Sequence, residues 1–304
     1  MIIDFHTHLH APGMSQEDRL HISTETVIEA GRRNGIDLTC ISNPLHDLRR
    51  MDEARGLKEV QTLHAGFAKA RDKYPDELIC FATAVPWNGE AYLHEVERAV
   101  REDGFRGAIM PSSLKGGYPD DEVCMAFWEL ACDLDIPVMV HPPAVGFGEE
   151  RMRDYRLASS IGRPFDNCLA IGRLMVRGIF ERFPTLKLVG THLGGGISEV
   201  IGRMDYAYEL QTEASFLGTY SPMLIKKKPS EYLKMMYFDS VCYHLPAARG
   251  AMETVGIDRF LFGTDAPPLT VLKGPGVQLI RDLGLAEADE EKVFSGNAKR
   301  LLGL

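Results

Sequence analysis

A (β/α)8 TIM barrel forming a single domain over residues 1–304 is predicted by three observations: eight short apolar runs, helical spacing between them, and no GxGxxG turn after the first run. The runs occupy residues 2–5, 37–42, 78–85, 105–110, 136–140, 186–191, 236–240 and 259–264. Each is nearly continuous in Val, Ile, Leu, Phe and small residues. Strands buried on both faces read this way, and helix-covered parallel sheets are the usual reason. Crossovers of this length connect parallel strands, and eight of them count out a barrel. A doubly wound open sheet is the competing architecture; the count and the missing glycine fingerprint disfavour it.

The intervening helices carry recognisable starts and stops. Ser23-Thr24-Glu25 opens one that runs through Gly31 to Asn34 and ends at Gly35. Leu93, Val96 and Val100 recur at i, i+3 and i+7 before Gly104 breaks the pattern. Asp121 starts a helix holding Phe127, Trp128, Leu130 and Ala131. A longer helix is expected from about Pro164 to Phe183, with Pro184 as its stop. Residues 218–228, GTYSPMLIKKK, read as an excursion before the seventh strand that could cap a site or meet another subunit.

Composition narrows the function. With 45% apolar and 25% charged residues the chain is an ordinary globular one, not a disordered or fibrous one. Lys and Arg number 34 against 43 Asp and Glu, a formal charge of −9. This acidic, unclustered balance excludes nucleic acid or an anionic membrane surface as the main partner. No run approaches the roughly 18 apolar residues of a membrane span. Cysteines 40, 80, 124, 132, 168 and 242 form no CxxC pair and read as reduced thiols of a cytoplasmic protein. MIIDFHTHLH has neither a basic start nor a long apolar stretch, so no secretory leader is expected.

Barrel enzymes keep their chemistry at the C-terminal strand ends. By that test His6 and His8 close the first strand, His141 the fifth, His192 the sixth and Asp265 the eighth. His21, His46, His64, His94 and His244 fall in loops or on helices. His6 and His8 are two apart, so alternation sends both side chains into the barrel mouth. Imidazoles with a carboxylate suit a divalent ion and leave a position for water. Alone, His6-Thr7-His8 would read as an exposed turn; the matching residues on other strands make it a metal motif. Asp4 shares the parity of His6 but lies deeper and reads as a core polar or supporting group. His10 shares it too, but Ala11-Pro12-Gly13 marks the strand as already ended.

In this order, IIDFHTH, FWELACDLDIPVMVHPP, RFPTLKLVGTHLGGG, DRFLFGTDAP and GNAKRLLGL make nearly the whole chain resemble the amidohydrolase superfamily. Within it, the likeness is to the branch typified by aminocarboxymuconate semialdehyde decarboxylase. The resemblance implies one divalent ion, Zn or Mn, held by His6, His8, His141 and Asp265. It gives Asp265 and His192 catalytic work, His192 orienting or deprotonating a water at the ion. It also implies a small carboxylic acid as substrate and a homodimer. One subgroup bridges two metals with a carbamylated lysine at the fourth strand end. Here that strand ends Ala108-Ile109-Met110-Pro111 and Lys115 lies beyond it, so a mononuclear site is expected.

Two reactions use such a site: non-oxidative decarboxylation of an unsaturated or aromatic acid, and hydrolysis or hydration of a lactone, amide or dicarboxylate. The first is the better known in this branch and is the expected one. A retired, non-catalytic metal-binding barrel would show a damaged ligand set, whereas all five residues are present. Arg19, Arg49, Arg50, Lys115, Arg153 and Arg156 sit in expected loops and could clamp a carboxylate, or be solvated charges. Trp87 could floor the pocket or pack a loop on the rim. Gly194-Gly195-Gly196 reads as backbone geometry rather than a phosphate loop.

Overall fold

All eight expected strands are present in a computed structural model of the chain, which describes residues 1–9, 23–144, 146–213, 221–267 and 273–304. They are β1 (Ile3–His8), β2 (Leu38–Ser42), β3 (Leu78–Thr83), β4 (Gly107–Pro111), β5 (Pro137–His141), β6 (Lys187–Gly190), β7 (Tyr237–Asp239) and β8 (Phe260–Leu261). One sheet holds them in sequence order, each neighbouring pair parallel. Backbone bonds close it: Phe5 N–H donates to Phe262 O at 2.9 Å and His8 N–H to Ala266 O at 2.7 Å. Ile3, Phe5, Phe81, Ile109, Met139 and Val189 fill the barrel interior. Their neighbours in sequence, such as Cys80, Ala108, Val138 and Leu188, pack outward beneath the helices. This two-sided burial is why the strands read as unbroken apolar runs.

α1 (Thr24–Arg33) begins where expected, the Ser23 hydroxyl accepting the Thr26 N–H at 3.2 Å. α2 (Glu53–Lys73) is capped in the same way by Asp52, and α3 (Glu90–Arg101) buries Tyr92, Val96 and Ala99. α4 (Met125–Asp133) follows a single 3-10 turn over Glu122–Cys124. The single helix expected over 164–183 is instead two, α5 (Arg163–Val176) and the one-turn α6 (Ile179–Arg182). Gly178 breaks it at φ +78°, and a Cβ there would lie 2.2 Å from the Leu224 carbonyl oxygen. Residues 221–228 thus cross the end of α5 farthest from the mouth and do not cap it; residues 218–220, like His10, Arg19 and His21, lie outside the described residues. Among the strand ends that differ from the expected runs, β6 stops at Gly190 and β8 at Leu261, so His192 and Asp265 stand beyond the ladders.

Among the described residues no helix is long and apolar enough to cross a membrane. All six cysteines are free, with Cys40, Cys80 and Cys124 buried and the others half-buried.

Candidate metal centre

β1 delivers its two histidines by breaking its own alternation. Asp4 pairs with Thr39 and Thr7 with Ile41, so β1 carries one extra residue over this stretch. Such a bulge re-aims side chains. Phe5 fills the interior, whereas Asp4 and Thr7 face the other side together, the Thr7 hydroxyl donating to Asp4 at 2.7 Å. Asp4 therefore does not share the face of His6, contrary to simple parity. It is the core polar group expected, bound at 2.6 Å by both Lys273 Nζ and the Thr264 hydroxyl.

Three imidazoles then meet at their Nε2 atoms. His6 and His8 approach to 3.2 Å, and His8 and His141 to 3.1 Å. Asp265 Oδ1 lies 3.3, 3.0 and 3.8 Å from the Nε2 of His6, His8 and His141. Each ring is turned by an acceptor at Nδ1: Asp239 for His6 at 2.6 Å, Ser42 O for His8 at 3.3 Å, Pro142 O for His141 at 2.8 Å. Holding the proton on Nδ1 leaves the Nε2 lone pairs pointing at one another. Gly263 permits the close approach of the β8 end, since a Cβ there would fall 2.8 Å from His6 Cβ.

Lone pairs and a carboxylate oxygen facing one another repel unless a cation or protons lie between them. Ligands at about 2.0–2.1 Å from one ion in tetrahedral geometry stand roughly 3.3 Å apart. The four residues His6, His8, His141 and Asp265, whose ligand atoms all lie within 4.8 Å of one another, fit such an ion. Lys115 is not among them: its Nζ reaches Met51 O at 3.5 Å, away from the end of β4.

The charges respond strongly to this packing. Burial opposes charging of His6, but Asp239 and Asp265 outweigh it and push the imidazole up to about 10. Burial dominates at His8 and His141 and lowers both. Burial works to raise the Asp265 carboxyl, yet the four surrounding histidines hold it well below the usual carboxylate range.

His192 stands apart from the Nε2 cluster. Its Nε2 lies 3.3 Å from Asp265 Oδ2, the oxygen turned away from the other rings. Its Nδ1 is 3.0 Å from the Thr191 hydroxyl, which donates to Val140 O at 2.9 Å and so accepts from His192. Both His192 and Asp265 adopt the left-handed backbone region, at φ +54° and +56°. Hydrogen bonds hold them there: His192 N–H to Asp239 Oδ1 at 2.8 Å, and Asp265 N–H to His6 O at 2.8 Å.

Beside the cluster, loops after β2, β4 and β5 enclose a cavity of about 280 Å³ lined by Arg49, Lys115, Tyr118, Phe147 and Asp166 among others. Arg49 and Lys115 are two of the six loop cations that read as either carboxylate clamps or solvated charges. Arg50, Arg153 and Arg156 are exposed and absent from its walls. Trp87 packs on the rim, its indole N–H donating to Asp121 at 3.3 Å. Sequence reasoning missed Asp239, which ends β7 by the same strand-end rule that found the histidines.

Comparisons place these features among known proteins. The family described as Amidohydrolase matches residues 3–304. A 2-amino-3-carboxymuconate-6-semialdehyde decarboxylase of Dictyostelium discoideum is 29% identical over 247 residues, which is 81% of this chain and 66% of that protein. The chain thus spans about two thirds of that relative's length. The crystal structure of 5-carboxyvanillate decarboxylase from Sphingomonas paucimobilis superposes with a TM-score of 0.88 at 22% identity, covering 100% of this chain and 99% of that one. A dihydroxybenzoic acid decarboxylase from Polaromonas sp. JS666, with bound manganese and 2-nitroresorcinol, gives 0.83 at 22% identity over 100% and 97%.

Proposed function

Because the chain belongs to the amidohydrolase family, we propose that it is a divalent-metal-dependent decarboxylase of a small unsaturated or aromatic acid. The observation that carries this reading is the division of labour at Asp265: Oδ1 faces three converging imidazoles while Oδ2 faces His192. His6, His8, His141 and Asp265 would hold the ion. Zinc is the proposed metal, since three imidazoles and one carboxylate suit it, with manganese, bound in the Polaromonas neighbour, as the other candidate. When bound, the ion supplies Lewis acidity that orients and polarises the acid.

The chain's own residues supply the proton. Decarboxylation breaks a C–C bond, releases carbon dioxide and leaves an electron pair on a carbon that must take up H⁺. His192 Nδ1 keeps its proton on Thr191, so a hydrogen bond across Nε2 and Asp265 Oδ2 holds a second, transferable one. Asp239 steadies both parts of the site, accepting from His6 Nδ1 and from the His192 backbone. The reading includes a cytoplasmic setting, which the six free cysteines support, and a homodimer, which rests on resemblance alone.

The test is carbon dioxide release from a panel of aromatic and unsaturated acids, with metal-loaded protein and no redox cofactor. Decarboxylation with loss of one carbon is expected. Water addition or hydrolysis without carbon dioxide would replace this reading with hydratase or hydrolase chemistry.

A further inference from the structure

We propose that Arg163 holds an anionic group of the substrate beside the metal-ligand cluster, an inference that rests on the reading of this mouth as an acid-binding site. Arg163 is the first residue of α5, directly after the loop that leaves β5. The start of α5 packs on the turn that carries His192: a Cβ on Gly195 would fall 2.1 Å from Pro164 O and 2.6 Å from Cys168 N. Arg163 is therefore placed at the C-terminal face of the barrel, with the chemistry.

Its side chain is unlike the other arginines that pack into this protein. Arg173 makes a two-point contact with Asp120 at 2.6 and 2.9 Å, and Arg98 is bound by Glu95 and Asp103. Arg163 Nε is buried and has no hydrogen-bond partner. Burial lowers its pKa from the usual guanidinium value, and Asp265 is the one charged group that acts against that shift. A guanidinium stays charged even so. Arg163 as a whole is half-buried, but a buried guanidinium N–H left without an acceptor is costly unless something completes it. The guanidinium offers only donors, in a planar fork that matches a carboxylate. Asp265 is committed to four histidines, which leaves a substrate anion as the partner that fits.

The experiment is calorimetric titration of metal-loaded protein with 2,6-dihydroxybenzoate, benzoate and muconate, the tightest acid then being compared with its neutral amide. Arg163→Gln should weaken the acid by about 10-fold or more, the worth of one charge-assisted hydrogen bond. It should change the amide by less than about 3-fold and leave metal content unaltered. Arg163→Lys, which keeps the charge and loses the fork, should recover part of the affinity. Equal weakening of acid and amide would mean a structural role and overturn the proposal. So would loss of metal from the variant, or failure of the parent to bind any of the three acids at about 10 mM. A parent that binds acid through Arg163 yet releases no carbon dioxide would retire the decarboxylase reading and leave this inference standing.

Discussion

The carboxylate of Asp239 lies 2.6 Å from His6 Nδ1, both groups wholly buried. That contact fixes which nitrogen of His6 faces the cluster, and Asp239 Oδ1 holds the backbone of His192 at the same time. Asp239→Asn should lower divalent-metal affinity by about 10- to 100-fold, the usual effect of losing a ligand's supporting acceptor. Metal titration against a chelating indicator measures this. Unchanged affinity would show that the His6 ring is set by its packing alone.

His192 should behave differently. Its Nε2 meets Asp265 Oδ2 rather than the Nε2 cluster, so His192→Asn should leave metal content near the parent's. Turnover should fall by about 10² to 10⁴, the range for a positioned acid or base. Metal and rate measured on one preparation decide it: parallel loss of both would make His192 a ligand.

The five candidate site residues can be read from the sequence because they end apolar runs, and a barrel gathers such ends on one face. The β1 bulge cannot. One extra residue is invisible without the partner strand, and it is what sends Asp4 away from His6. The same bulge leaves residues 262–266 bonded irregularly to β1, which is why β8 is shorter than its apolar run. Gly178 lies inside the stretch that reads as one helix, and its role appears only when Leu224 crosses it. Asp239 was passed over because it sits at the tail of an apolar strand.

Lys273 and Asp4, 2.6 Å apart and both fully buried, form an ion pair behind the site. Lys273→Met should cost about 3–5 kcal/mol by stranding the Asp4 carboxylate. Because Asp4 also binds Thr264, next to Asp265, metal affinity should drop with stability. Urea denaturation of the variant, and of the double variant with Asp4→Asn, checks this. The double variant should regain part of the loss; no recovery would place the cost in packing rather than in the unpaired charge.

Acid should weaken the fold through a second buried cluster. Thr83 N–H donates to His64 Nε2 at 2.8 Å, and His64 Nδ1 donates to Glu95 at 2.7 Å, so His64 is neutral. Burial lowers the His64 pKa from 6.5, so the unfolded chain takes up that proton first and stability declines as pH falls below 6.5. Burial alone would raise the Glu95 carboxyl, but His64 and Arg98 outweigh it and hold it below its ordinary 4.5. Its contribution is full above 4.5 and is lost as pH falls further. Melting temperature against pH should therefore drop below 6.5 and steepen below 4.5, with Glu95→Gln removing the steeper part. An unchanged steep limb in that variant would assign acid sensitivity elsewhere.

The most direct test of the central claim is elemental analysis of protein purified without chelator, run beside His6→Ala and Asp265→Ala. About one divalent ion per chain is expected in the parent, because four ligand atoms converge within 4.8 Å and β4 ends without a bridging lysine. Both variants should lose it. Variants that retain the ion as the parent does, or a parent holding two ions about 4 Å apart, would contradict the assignment.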